Sequence, residues 1–427
     1  MTTTINNEHK ELNFSSEREQ SQACLNSAEH EKNQGRKVLN VPNSTDKGKT
    51  IRNVPHLRFP EFQGEWTISL LSDFLTENKE RNKKGKFGKA DVLSVSGDYG
   101  IVNQIELLGR SFAGASVLLY HIVRHGNIVY TKSPLKEYPY GIVKANTGVD
   151  GIVSTLYAVY NINNNADAQF IEYYFSSANR TNRYFKPIVR IGAKHDMKIG
   201  NQEVLANKVT FPNLEEQNKI ASLFRLLDNR IATQNKIIED LKKLKSAISE
   251  SLFKDIKGDV VMLSEVCGII KGKQINGEFL SEKGKYYVMN GGTEPSGYYN
   301  DYNVGANTIS ISEGGNSCGY VQFNTSPFWS GGHCYTIQKI ADNVDNLYLY
   351  HYLKSKENAI MKLRIGSGLP NIQKKDLAMF KIKIPTVEQQ KAISTFLSSL
   401  ERKAEIEESI QNAMQKQKLH LLQQMFI

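Results

Sequence analysis

The sequence predicts an α+β fold: two globular mixed α/β modules separated by two long helices that form an antiparallel coiled coil, with internal pseudo-two-fold symmetry. Three observations predict it. Residues 211–253 reappear almost without gaps at residues 384–426, with Pro212 matching Pro385, Glu215 matching Glu388, Gln217 matching Gln390 and Phe253 matching Phe426 in one register. Each copy carries apolar residues at the 4-3 spacing of a coiled coil. Each is preceded by runs of β-type residues split by glycines and ending in Arg190-Ile191-Gly192 or Arg364-Ile365-Gly366.

Taken in chain order, residues 1–54 are expected to be a flexible tail, since the first fifty are polar, balanced in charge and poor in large apolar side chains. Residues 55–212 form the first module. It opens on a proline-bounded entry segment (Pro55 to Gly64), and a strand or short helix start follows at Trp66 to Phe74. The β-type runs VLSVSGDYGIV, GNIVY and GIVSTLYAVY come next, then an aromatic-rich helix over 168–185, a loop and the short strand VTFP. Residues 213–257 are the central spacer helix, residues 258–385 the second module on the same plan, and residues 386–427 the C-terminal spacer helix. Between the shared anchors the two modules are unlike, the pattern expected if each reads a different ligand; drift after duplication gives the same pattern.

Each long helix has a start signal. Asn213 and Thr386 are good N-cap types, followed three residues later by Glu216 and Gln389 in capping-box spacing. The first seam runs Ile220, Phe224, Leu227, Ile231, Gln234, Ile238, Leu241, Lys245, Ile248, Leu252. The second runs Ile393, Leu397, Leu400, Ala404, Glu407, Gln411, Met414, Lys418, Leu421, Met425. The polar breaks at Gln234 and Lys245 fall where Glu407 and Lys418 fall, and a polar residue inside such a seam fixes register. A helix of this length spans about 55–60 Å. Modules at its two ends sit more than one DNA turn, about 34 Å, apart.

The formal charge is +10 with a pI near 9.1, and because the tail is balanced the excess lies on the modules, which favours a polyanion such as nucleic acid. The sequence has no run of about 18 apolar residues for a membrane span, and its start lacks a signal-peptide core. The four cysteines (Cys24, Cys267, Cys318, Cys334) show no C-x-x-C pairing, which favours a reduced, cytoplasmic protein. Cys318, His333 and Cys334 fit no zinc spacing and are expected to be packed side chains rather than metal ligands.

Catalytic signatures are missing from the sequence. Ser326-Pro327-Phe328-Trp329 is a poor match to the motif of amino-methylating enzymes, and no phosphate-binding G-x-x-x-x-G-K-S/T loop occurs. The Glu313-Gly314-Gly315-Asn316-Ser317-Cys318-Gly319 stretch opens no evident helix, so it is either a glycine-rich strand connection or a backbone that approaches DNA closely. His195 beside Asp196 has no nucleophile placed with it. The chain is expected to bind and to do no chemistry.

Two dissimilar modules, each followed by a repeated P-x-x-x-E-Q or P-x-x-x-Q-Q helix, resemble the specificity subunit of a type I DNA restriction-modification system. The entry LRFPEFQGEW, the RIG-loop-strand-Pro endings and the blocks ISISEGGNSCGYV and PFWSGGHCYTI carry the same resemblance, which covers roughly residues 55–427. It implies that each module is a target-recognition domain for half of a bipartite double-stranded DNA site. It implies that the helices dock two methylation subunits, and that restriction subunits join the complex. It places S-adenosylmethionine, ATP and Mg²⁺ on those partners, with no cofactor in this chain. Phosphate contacts need Lys, Arg or backbone N–H groups, and base edges favour Arg, Lys, Asn, Gln and Ser. The DNA-binding candidates in the first module are Ser96, Asp98, Tyr99, Lys132, Lys144, Asn146, Arg190 and Lys194. Those in the second are Lys271, Lys273, Gln274, Asn290, Asn316, Ser317, His333, Arg364 and Asn371. Two other classes compete: a coiled-coil scaffold without DNA specificity, and a stand-alone nuclease or methyltransferase needing only Mg²⁺ or S-adenosylmethionine.

Overall fold

The computed structural model describes residues 53–191, 197–366 and 368–427. The expected tail therefore lies almost wholly outside the described residues, as do Lys194, His195 and Asp196.

Each module is built on the same four-stranded antiparallel sheet. In the first, Leu75–Glu77, Ala158–Ile162, Ile128–Tyr130 and Val143–Ala145 lie side by side in that order. In the second, Gly268–Lys271, Cys334–Gln338, Thr308–Ser312 and Val321–Asn324 repeat it. A two-stranded ribbon joins the start of each module to its end: Thr67–Leu70 with Lys208–Phe211, and Asp259–Met262 with Lys381–Ile384. The additions differ. The first module has a hairpin of Leu93–Ser96 with Gly100–Asn103 and a pair of His121–Val123 with Gly151–Val153. The second has Tyr286–Met289 flanked by Tyr298–Tyr299 and, in parallel, by Trp329–Ser330.

The helix expected over 168–185 is two helices, Ala168–Phe175 and Ala178–Phe185. Serines make the break: Ser177 caps the second helix by accepting from the Arg180 N–H, and the Ser176 hydroxyl donates back to the Tyr173 carbonyl. The corresponding segment of the second module also divides, into Asn346–Ser355 and Glu357–Met361.

The long helices run Leu214–Asp255 and Val387–Gln424, and their side-chain bonds pair them antiparallel. Asn213 and Thr386 cap them as expected, accepting from the Glu216 and Gln389 N–H groups. Glu216 does not complete a capping box. Its buried carboxylate instead receives Arg58 Nε and Nη2, each at 2.7 Å, and the Trp66 indole N–H at 3.3 Å, which ties the entry segment to the helix start. One residue on, the fully buried Gln217 donates to the Pro212 and Asn165 carbonyls and accepts from the Asp167 N–H. Gln390 makes the same set with Pro385, Asn343 and Asp345.

Every expected seam position is buried or half-buried. The seam ends merge with the module cores. Ile220 and Phe224 join the first core together with Leu422, Met425 and Phe426 from the far end of the C-terminal helix. Leu397 joins the second core together with Phe253 from the far end of the central helix, with Ile248, Leu252 and Ile393 packed against it. Leu227 and Leu421 pack against the first core, while Ile231, Ile238, Leu241, Leu400 and Met414 occupy the stretch between.

Polar residues of the seam bond across it. Lys245 reaches Glu401 at 2.7 Å, and Glu401 also accepts from the Tyr350 hydroxyl at 3.1 Å. Lys418 pairs with Asp228, which accepts from the Tyr173 hydroxyl at 2.8 Å. The repeat that superposes Lys245 on Lys418 superposes Asp228 on Glu401, so both ends of the spacer carry one tyrosine–carboxylate–lysine link. Each fixes a module helix to both long helices.

Candidate nucleic-acid interface

In the second module three strand ends terminate in glycine pairs: Gly291-Gly292, Gly314-Gly315 and Gly331-Gly332. Backbone bonds hold the three loops together. Gly331 N–H donates to Met289 O at 2.8 Å, Glu313 N–H to His333 O at 2.9 Å, and the Ser312 hydroxyl to Gly291 O at 2.6 Å. Such approach needs glycine: a Cβ on Gly331 would lie 2.5 Å from the Asn290 carboxamide oxygen. A fourth segment joins where Asn371 and Ile365 exchange backbone bonds and the Gly315 N–H donates to Pro370 O.

This arrangement gathers the second-module candidates. The Lys271 ammonium donates to Glu313 at 2.6 Å, and the imidazole of His333 lies 3.7 Å from the other oxygen of that carboxylate. Asn290 accepts from the His333 N–H, and Gln274 lies against Gly332. Lys273 anchors its backbone to Ser330 and to the Trp329 indole while its side chain stays exposed. Asn316, Arg364 and Asn371 are exposed on the neighbouring loops, and the Ser317 carbonyl closes a turn with Tyr320. Glu313, the hub of the group, was not among the candidates; the sequence signal for it was an ionisable residue opening a glycine-rich stretch.

In the first module the candidates disperse. The Ser96 hydroxyl accepts from the Asp98 and Tyr99 N–H groups, each at 3.2 Å, at the tip of a hairpin from which Tyr99 stands 69% exposed. Gly97 of this tip and Lys144 border a cleft of about 360 Å³ whose other wall is Asp228, Ile231 and Lys418 of the long helices. Lys144 pairs with Glu172 at 3.2 Å. Lys132 turns inward, its ammonium bonded to the Ile199 carbonyl and Asn201, and burial lowers its pKa. Asn146 is buried, shaping a turn with Gly148 and Val149. Arg190 is exposed, 3.7 Å from Glu203.

Cys318 and Cys334 are buried; desolvation pushes the Cys334 thiol up to about 11 and raises that of Cys318. Among the described residues no group of three or more His, Cys, Asp or Glu side chains is placed to hold a metal ion, and no helix is long and apolar enough to cross a membrane.

The family model for the type I restriction modification DNA specificity domain matches residues 256–416. A Mycoplasma pneumoniae protein named a type I specificity subunit is 34% identical over 137 residues, covering 32% of this chain and 36% of that one. A type I restriction enzyme specificity subunit of Methanocaldococcus jannaschii is 27% identical over 255 residues, covering 50% of this chain and 60% of its own. The matches thus span between about a third and three-fifths of those relatives. The crystal structure of a type I restriction-modification system S subunit from M. genitalium superposes over 88% of this chain and 99% of its own, with a TM-score of 0.60 at 16% identity. A structure titled for complex assembly and conformational transition of the type I system covers 84% of this chain and 96% of its own, with a TM-score of 0.51 at 17% identity. The resemblance read from the sequence, and the fold it implied, are borne out.

Proposed function

We propose that this chain, which carries the type I restriction modification DNA specificity domain over residues 256–416, is the sequence-reading subunit of a type I restriction-modification complex. Each module reads one half of a bipartite DNA site, and the paired helices set the unread distance between the halves. The observation that carries this reading is the equivalence of the two modules in sheet order and ribbon closure while their added strands and loops differ. Equal frames held at opposite ends of one spacer present two different reading surfaces to one duplex. The duplicated tyrosine–carboxylate–lysine links leave equivalent faces at both ends of the spacer, which suits two copies of one methylation subunit. Cofactor binding and methyl transfer reside on those partners, and restriction subunits add cleavage. Of the candidates, the second-module cluster around the glycine pairs is the reading surface we favour for that half.

The test is methylome sequencing of a host expressing this chain with a methylation subunit, against a host lacking the chain. A new split adenine-methylation motif present only with the chain is expected. Replacing residues 258–385 with the corresponding module of a relative should change one half of the motif and leave the other intact. An assembled, soluble complex that yields no motif favours the scaffold reading.

A further inference from the structure

We infer that Glu313 reads a base: its Oε2 is the acceptor for an exocyclic amino group of adenine or cytosine in the half-site of the second module. The inference rests on the DNA-reading function proposed above. Glu313 sits at the hub of the glycine-paired loops, and its side chain is 10% exposed. Its two oxygens have unequal surroundings. Oε1 receives the Lys271 ammonium at 2.6 Å and lies 2.9 Å from the Tyr335 hydroxyl. Oε2 is buried with no hydrogen-bond partner, and its neighbour, His333 Nδ1 at 3.7 Å, is too far to bond.

A carboxylate oxygen withdrawn from water without a donor is unfavourable, so the site is prepared for a donor that arrives from outside. The neighbouring His333 side chain is 63% exposed, so the group lies close to the surface. Two residues on from Glu313, Gly315 has no protein atom within 4 Å of where a Cβ would sit, which leaves the backbone open to a duplex edge there. Lys271 neutralises the carboxylate and lessens its repulsion by phosphates. In the major groove the base-edge N–H donors are adenine N6 and cytosine N4, and a glutamate acceptor matches them.

The deciding variant is Glu313→Gln. The Lys271 ammonium can only donate, so the amide oxygen stays at the Oε1 position and the NH₂ takes the place of Oε2. An acceptor becomes a donor. In the methylome experiment, the variant should change one position of one half-site, from an amino-bearing base towards guanine or thymine, whose edges accept. The other half should be unchanged. A wild-type split motif together with an identical motif from an assembled Glu313→Gln complex overturns the inference and leaves the function standing. No motif from the wild-type complex overturns both. Should the variant complex fail to assemble, binding by the wild-type complex decides. Adenines are replaced one at a time by purine, and cytosines by pyrimidin-2-one, which lack the amino group. One replacement should weaken binding roughly tenfold or more; no sensitive position overturns the inference.

Discussion

Gln234 and Glu407 hold the same place in the two helical repeats, and they are bonded to each other: the Gln234 amide donates to the Glu407 carboxylate at 2.6 Å and to its backbone carbonyl at 3.1 Å. A position that meets its own duplicate lies beside the pseudo-two-fold axis, so this pair marks the middle of the spacer. Sliding the helices by one turn would separate it, and that penalty selects the register.

Replacing Gln234 by leucine should lower the unfolding midpoint, since Glu407 then loses its donor across the seam and keeps only the longer contact to Lys403 on its own helix. Leucine at both positions should recover the loss while relaxing the register. Chemical denaturation measures the first effect. Distances between spin labels at the two helix ends measure the second, with a broadened distribution expected only in the double variant.

Phe426 is packed among Trp66, Phe170, Tyr174 and Phe224, and Phe253 lies against Tyr348 and Tyr352. Phe426→Ala should cost about 3–5 kcal/mol in the first module, and Phe253→Ala a similar amount in the second. Limited proteolysis should cut the first module sooner in the one variant and the second module sooner in the other. Equal acceleration in both modules would contradict the division of the cores.

The buried Gln217 and Gln390 each bond three backbone groups, the Pro212 or Pro385 carbonyl among them in a buried hydrogen bond. Leucine at either position keeps the volume but leaves those groups unpaired, at a cost of about 3 kcal/mol. The two variants should match in thermal denaturation, because the two environments repeat one another.

Burial lowers the pKa of both His121 and His351 to about 4, with His351 Nε2 2.9 Å from the Ser398 hydroxyl. An unfolded histidine takes up its proton near pH 6.5, whereas these two stay neutral in the fold until about pH 4. Between those values the unfolded state binds more protons. Stability is therefore full above about pH 6.5 and falls as the pH drops towards 4, by up to about 1.4 kcal/mol per unit for each group. Urea midpoints at about pH 7 and pH 5 should differ by an amount that His351→Gln reduces.

The helices were legible because a heptad is a local pattern and its duplication shows in one line of sequence. The sheets were only half legible. Leu75–Glu77 lies just beyond the strand or short helix start expected at Trp66 to Phe74, and its neighbour Ala158–Ile162 falls largely in an expected β-type run, yet nothing local in either names the other as its partner. The interface suffered in the same way. Lys132 has the charge of a phosphate-contacting residue, but residues 199–201, far along the chain, draw its ammonium inward. Glu313 is not legible because its distinction is an oxygen left without a donor, which depends on Lys271 arriving from one segment and His333 and Tyr335 from another.

The shared core of Trp66, Phe224 and Phe426 sets an order of events during synthesis. The first module emerges from the ribosome early but lacks part of its interior until the second long helix has followed it. The second module waits less, since Phe253 precedes it in the chain and Leu397, the later contribution to its core, lies in the first turns of the helix that follows it. The half that is made first is the half that is finished last, so a nascent chain released after residue 397 but before residue 422 keeps one complete core and exposes the other.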